Sequence, residues 1–482
     1  MEPVAGSPPS YDLVDHDESV SDDPSDAETA IGPSLPGAVK RAVRVLSSHR
    51  GAAVLDQALS SSSNLLLALL VGRHSTVEEF GLFALSTGMY WLCLGAGRAL
   101  IGEPGLVARD GDPRRSESAR LYVGAGFAVI SSAGFWGLAV VFDVPLFGLM
   151  GLALVPLLLQ DGLRYLFFAR AEPWGALGID AVWVTTQLLA IPVVLAWLDP
   201  EGPRVWVGAW TVGALTSVVV GLLWLRPGWS PSGVRGWMTR TWRLAAGFVS
   251  DFVITTGAQQ ATLLLLPAVS SLGVLAALRT AQVVNGPLNV LIGATAIVLL
   301  PSAARRREAR NLTGALRDAR RAAGHLVAIS AVYLVLLSLA LPHWGQPLLG
   351  DQWQNSRAVI PMICVHMALM GALQGPVLTL RGFGRVRSLV LTRLAITPGN
   401  MAAPLVGAYL GGAIGMAWGM LLSASAAALV WWSTLYRFTR AAQACSDGEP
   451  PGGVLPASAT TVVFPASPAD QGRSGQAGSC TS

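Results

Sequence analysis

Lysine is nearly missing: Lys40 is the sole one among 33 basic residues, and all the others are arginine. A phosphate-cradling P-loop needs a Gly-Lys pair. Lys40 follows Val39, so this chain carries no P-loop ATPase of its own. The arginine bias fits a GC-rich genome better than a functional need. Cysteine is scarce as well. Cys93, Cys364, Cys445 and Cys480 show no C-x-x-C spacing, so neither a disulfide framework nor a zinc site is indicated. No serine sits in a Gly-x-Ser-x-Gly elbow. No histidine pair has metallohydrolase spacing, and His325 and His366 read as packing residues. A secretory signal opens with basic and then apolar residues, whereas this N-terminus is acidic and rich in Ser, Pro and Asp. These absences lower an enzymatic reading and call for no metal or cofactor.

Charge is the largest deficit. Only 13% of the 482 residues are charged and 52% are hydrophobic, with a mean hydropathy of +0.51. Soluble domains carry about 25% charged residues to cover their surface, so lipid is the expected solvent for most of this chain. Crossing the hydrocarbon layer takes about 20 mostly apolar residues. Such runs are expected near 52–72, 80–107, 119–142, 146–168, 175–198 and 205–225, then near 244–267, 274–300, 322–341, 358–380, 389–409 and 411–434. The expected fold class is all-α and polytopic, with about twelve transmembrane helices in two parallel six-helix lobes around a central cavity. A disordered acidic tail over 1–45 precedes a first lobe over 46–230. A second lobe over 231–440 is followed by a disordered tail over 441–482.

The net charge of +4 conceals an asymmetry. The first 39 residues hold nine of the 29 acids and no Lys or Arg, which leaves 33 basic against 20 acidic residues elsewhere. The basic residues fall in alternate connections, from Lys40, Arg41, Arg44 and Arg50 through Arg305–Arg321 to Arg437 and Arg440, while the opposite set holds only Arg73, Arg204 and Arg357. Basic loops stay cytoplasmic. Both termini are therefore expected inside a plasma (inner) membrane, with an even number of spans. The run Arg305–Arg321 reads as an orientation signal against headgroups rather than a nucleic-acid patch, and no nucleic-acid partner is expected.

The two halves begin alike. Asp56, Ser60, Ser63 and Asn64 recur as Asp251, Thr255, Ala258 and Gln259 at a constant offset of 195. Positions i, i+4, i+7 and i+8 share one helix face, so each half opens with a polar stripe headed by an aspartate. The segment Phe80–Leu85 is likewise similar to Leu272–Ala277, and Ile101-Gly102 to Ile292-Gly293. With an even number of spans per half, such copies form a parallel repeat, between which transporters often place a substrate path.

An ionised residue at mid-membrane costs about 2.5–3.5 kcal/mol on insertion scales and so faces a bundle interior or a watery cavity. Asn64, Gln259, Gln260 and Asn289 are candidate cavity residues on that ground. Asp56 and Asp251 are candidates for ion coupling, with helix-terminal placement as an equal alternative. Asp161 and Arg164, one turn apart, read as a local pair. Arg98 and Arg279 lie in long apolar runs without a close sequence partner. Each invites an anion such as a phosphate, or else an interhelical ion pair.

The segment Asp56–Asn64 with Glu79–Leu85, the loop Leu348-Leu349-Gly350-Asp351-Gln352-Trp353 and the turn Arg381–Arg385 resemble bacterial polysaccharide flippases. These belong to the multidrug/oligosaccharidyl-lipid/polysaccharide exporter superfamily. The likeness in organisation spans residues 50–436. It implies two six-helix lobes that open to one side at a time, and a polyprenyl-diphosphate-linked oligosaccharide as the cargo moved to the periplasmic leaflet. Glycan polymerase or glycosyltransferase partners and cavity arginines meeting the diphosphate are implied too, a part Arg98 and Arg279 are placed to take. Relatives of similar fold export cationic drugs in exchange for Na⁺ or H⁺, and acidic cavity residues would favour that alternative. A membrane enzyme of glycan assembly is the third reading, and it lacks a catalytic residue.

Overall fold

The computed structural model describes residues 49–108, 112–228 and 230–446. The tail over 1–45 and residues 447–482 lie outside the described residues. Among the described residues the chain forms twelve long helices and no strand. The first six are α1 (His49–Arg73), α2 (Val77–Val107), α3 (Pro113–Phe142), α4 (Pro145–Ala169), α5 (Pro173–Trp197) and α6 (Pro203–Leu225). The second six are α7 (234–269), α8 (272–308), α9 (Leu312–Leu349), α10 (Val359–Gly382), α11 (386–410) and α12 (413–446). A short helix, Gln352–Ser356, lies between α9 and α10.

Local chemistry sets the ends of these helices. Proline opens α3, α4, α5 and α6, where its missing N–H and fixed φ cost nothing. Thr76 and Glu79 form a capping box at the start of α2, and Ser271 accepts from the Val274 amide at the start of α8. These two caps stand at the same 195-residue spacing as Asp56 and Asp251. Between α11 and α12 the chain reverses at Gly411 and Gly412, and Gly412 has φ +56°, a value glycine adopts without strain. Beyond the turn, Gly407 packs on Gly415 and Gly419 on Ala403, backbone against backbone, with no room for a Cβ on any of the three glycines. Small residues of this kind let helices approach where lipid supplies no hydrophobic drive between them.

Hydropathy finds the apolar middles of the helices and misses their amphipathic ends. Helix α7 starts ten residues before its expected span, through Arg235, Arg240 and Arg243. Helix α9 runs 38 residues, well beyond 322–341 at both ends. Three helices are interrupted. In α2 a π-helical turn, Arg98–Gly102, begins at Arg98 itself. A π-helical turn, Val253–Gly257, follows Asp251 in α7, whereas the matching helix α1 is continuous from His49 to Arg73. Helix α8 is broken at Asn285, whose Nδ2 donates to the carbonyls of Ala281 (2.8 Å) and Ile360 (3.2 Å).

Each set of six packs around one central helix. In the first lobe α4 touches α3, α5 and α6, with α1 laid on α5; in the second, α10 touches α8, α9 and the α11–α12 pair. The lobes meet where the corresponding helices α2 and α8 cross, and a Cβ on Gly81 would stand 2.5 Å from the Leu272 carbonyl oxygen. That end, the arginine-poor face, is also pinned by side chains. Gln352 donates to the Ser75 carbonyl (3.2 Å), and the Arg73 guanidinium donates to the Pro347 carbonyl. Asn355 ties the short helix to the Gly273 carbonyl at 2.8 Å. Toward the arginine-rich face α7 straddles the lobes. Trp237 in its first half is buried against Ile101 and Ala119 of the first lobe, and its second half packs on the α11–α12 pair.

The backbone contact between α11 and α12 yields a direct test. Gly407→Leu should cut the monodisperse protein recovered in detergent at least tenfold, while Gly247→Leu, at a position with open space around it, should leave recovery unchanged. Size-exclusion chromatography with fluorescence detection reads both.

Candidate functional site

Buried charge concentrates in the first lobe. Gln160, Asp161 and Arg164 lie within one turn of α4, a helix buried on most of its surface. Arg164 reaches three carboxylates on three helices. Its Nη2 lies 2.5 Å from Asp56 Oδ2 of α1, its Nη1 3.3 Å from Asp161 Oδ1, and its Nε 3.4 Å from Asp180 Oδ2 of α5. The side chains of Arg164, Asp56 and Asp180 are 6%, 1% and 0% exposed, so these contacts act with little solvent screening. Asp161 in turn receives a fork from Arg98 of α2, with Nε at 2.9 Å and Nη2 at 2.6 Å. Gln160 donates to Asp180 Oδ1 at 2.5 Å. Beside this network Ser63 and Gln187 exchange hydrogen bonds between α1 and α5.

The network extends one reading of the sequence and decides another. Asp161 and Arg164 are more than a local pair, because their bonds join α1, α2, α4 and α5. For Arg98 the structure takes the interhelical ion pair, one of the two alternatives the sequence left open. The aspartates heading the two polar stripes also part company. Asp56 is buried at the centre of the network, whereas Asp251 is exposed and pairs with Arg393 at 2.8 Å. Three carboxylates face two guanidiniums in the cluster, which leaves one negative charge in excess and Asp56 Oδ1 buried without a hydrogen bond among the described residues.

Arg279 has a different setting. It is half-buried on α8, the helix that meets α2 between the lobes, and among the described residues it makes no ion pair; its Nε is buried without an acceptor. Gln260, on the half of α7 that also packs on α2, has its Oε1 buried without a donor. Of the other candidates, Asn64 donates to the Ser60 carbonyl at 2.8 Å, while Gln259 and Asn289 are exposed. The structure thus separates the sequence candidates into an ion-paired cluster inside the first lobe and a donor-bearing patch between the lobes. Sequence reasoning missed Gln160 and placed Asp180 only among the polar residues expected to face the interior, without a role. The available signal was seven charged residues, Asp56, Arg98, Glu103, Arg120, Asp161, Arg164 and Asp180, in the apolar runs of one half.

No family model matches this sequence, and no curated protein matches it either. Solved structures do match. An inward-facing multidrug resistance MATE family transporter of the MOP superfamily superposes with a TM-score of 0.60 at 12% identity, over 82% of this chain and 99% of that one. The lipid II flippase MurJ in an inward closed conformation gives 0.58 at 9% identity, over 80% of this chain and 90% of that one. This chain has their fold. An outward-facing MATE family transporter superposes with a TM-score of 0.51 at 11% identity, over 81% of this chain and 94% of that one. The likeness reaches this shared fold and stops short of the polysaccharide-flippase branch that the short motifs resemble.

The buried cluster generates its own test. Removing one member of a buried ion pair costs about 3–5 kcal/mol because the remaining charge is stranded. Arg164→Leu should therefore abolish recovery of folded protein, and combining it with Asp56→Asn should restore part of the thermal stability. A single variant as stable as the parent in a melting assay would show that the network does not bear on folding.

Proposed function

We propose that this chain is a multi-pass membrane transporter that works by alternating access of its two lobes and flips a polyprenyl-diphosphate-linked oligosaccharide. The direction is from the cytoplasmic leaflet to the opposite one, with both termini cytoplasmic, and the product feeds surface polysaccharide synthesis. Glycan polymerase or glycosyltransferase enzymes are the corresponding partners. One observation carries the choice of an anionic cargo. Arg98 and Arg164 inside the first lobe are paired with aspartates, whereas half-buried Arg279 between the lobes makes no ion pair among the described residues. An unpaired guanidinium in a site flanked by lipid is costly unless an anion completes it, and its planar fork matches phosphate oxygens. The fold is shared with a flippase of lipid II by name, which supports a lipid-borne cargo.

The second reading is a cation-coupled multidrug exporter of the same fold, and a specific observation favours it. The surplus negative charge around Asp56, Asp161 and Asp180 suits a proton or a small cation, and two of the similar structures are multidrug resistance transporters by name.

Charge-assisted hydrogen bonds are worth about 1.5–3 kcal/mol, which is about tenfold or more in rate if made at the limiting step. Arg279→Gln should slow flipping of a fluorescent polyprenyl-diphosphate sugar in proteoliposomes at least tenfold, with Arg279→Lys intermediate. Cells lacking the protein should accumulate lipid-linked sugar in the inner leaflet and lose surface glycan. Unchanged lipid intermediates together with heightened sensitivity to cationic dyes would select the exporter instead.

A further inference from the structure

Positive charge is spread unevenly over the arginine-rich face. In the second lobe the ends of α8, α9 and α12 and the turn between α10 and α11 hold twelve arginines, over 305–321, 381–387 and 437–440, and two acids, Glu308 and Asp318. These segments form one surface. Arg306 pairs with Asp318 at 3.0 Å between α8 and α9, and Arg320 Nε donates to the Tyr436 hydroxyl of α12 at 3.2 Å. Arg385 lies over the Phe438 ring, 4.7 Å from its centre, and the Arg307 guanidinium stands against Gly384. Asp318 is thus engaged, and Glu308 is the other acid of these segments. Arg305, Arg307, Arg310, Arg317, Arg321 and Arg437 are exposed and make no ion pair among the described residues.

Lipid headgroups reach only part of this surface. Helix α9 opens at Leu312, ten residues before the apolar run that begins near 322. At about 1.5 Å per residue its start stands about 15 Å outside the hydrocarbon, beyond a headgroup layer about 5–8 Å deep on each side. Arg307, seven residues past the apolar run that ends near 300, stands about 10 Å out, and Arg310 follows it in the turn.

A counter-charge of similar size is carried by the chain itself. The first 39 residues hold nine acids and no Lys or Arg, with eight of the acids between Asp12 and Glu28. This segment leads into α1, whose far end, Arg73, reaches the Pro347 carbonyl at the arginine-poor face. Helix α1 therefore begins on the arginine-rich face. The 21 positions from Glu28 to His49 span about 70 Å at full extension, against helices about 10–12 Å across, so the acids are within reach of the second lobe. Single exposed ion pairs are weak, but eight acids on one tethered segment act together, because each pair formed raises the local concentration of the next.

We infer that the acidic segment Asp12–Glu28 docks on the arginine surface formed by the ends of α8, α9 and α12. The segment is attached to the first lobe and the surface belongs to the second. Docking therefore ties the lobes together across the arginine-rich face, and opening there requires its release. The inference stands apart from the cargo assigned to Arg279, since it asks only for contact within one chain.

Photo-crosslinking of the full chain in nanodiscs tests it, with p-benzoylphenylalanine in place of Val20. In phosphatidylcholine discs the crosslinks should join the segment to residues 305–321 or 437–440 within a monomer. Their yield should fall at least fivefold as salt rises from about 0.1 M to about 1 M, where the screening length drops from about 10 to about 3 Å. Replacing the eight acids by their amides leaves the membrane helices untouched and should lower the yield at least fivefold. Arg310→Glu combined with Arg317→Glu should do the same with the melting temperature unchanged. Persistence of the crosslinks in discs containing phosphatidylglycerol supports docking in a membrane. Their loss in those discs assigns the surface to anionic headgroups and overturns the inference, as do crosslinks to other segments or a yield indifferent to salt and to the amide variant.

Discussion

Arg164 is the residue on which the first lobe turns. Its helix is the hub against which α3, α5 and α6 pack, and its guanidinium is the only positive charge shared by Asp56, Asp161 and Asp180 among the described residues. In water such a pair contributes little, because the ions lose about as much hydration as they gain in attraction. Here the alternative to pairing is a charge facing lipid or an apolar core. The cluster therefore specifies which faces of α1, α2, α4 and α5 turn inward and at what height they meet. The Ser63–Gln187 exchange repeats the constraint one to two turns farther along α1.

The second lobe is organised differently, although its opening residues repeat the pattern of the first at an offset of 195. Asp251 and Arg393 pair at an exposed site. Helix α7, in which Asp251 lies, takes a π-helical turn just after it, a feature often found at functional positions, and it straddles the two lobes. Close glycine packing between α11 and α12 and the Asn285 bond to Ile360 hold this lobe together in place of an ion-pair hub. One half thus carries a charged centre around Arg164, and both halves carry an interrupted helix, α2 at Arg98–Gly102 and α7 at Val253–Gly257.

Much of this was legible in the sequence, for a physical reason. Lipid requires apolar runs of a set length, so twelve spans and their alternating arginines appear in hydropathy, and a duplicated polar stripe shows as a 195-residue offset. The pairings were hidden. Arg98 meets Asp161 across 63 positions and Arg164 meets Asp56 across 108, and local spacing says nothing about which buried charges will face each other. The i, i+3 rule pointed to Asp161 and Arg164 and was satisfied, yet it accounts for one of the three carboxylate contacts of Arg164, at 3.3 Å beside 2.5 Å to Asp56 and 3.4 Å to Asp180. The amphipathic starts of α7 and α9 escaped because arginines lower the hydropathy of a helix without ending it.

Arginine chemistry at the two sites also bears on how a transport cycle would be driven. The lobes meet at the arginine-poor face through glycine contacts and a few side-chain to backbone hydrogen bonds, among them Gln352 to Ser75 and Arg73 to Pro347. Each such bond is worth about 0.5–1.5 kcal/mol net, so the closed end is held by a few kcal/mol beyond its packing. A ligand moves such an equilibrium only by its difference in affinity for the two states, and a shift from 1:99 to 99:1 takes about 5.5 kcal/mol. An anion meeting Arg279 can supply a difference of that order if α8 shifts against α2, since Arg279 stands on the helix that meets α2 between the lobes. A cation added to the Asp56 cluster lies within one lobe, and it biases the cycle only if α1 or α2 changes its packing on the second lobe. The two proposed chemistries therefore predict different moving parts: the α2–α8 crossing for an anionic lipid cargo, and a rearrangement inside the first lobe for cation coupling.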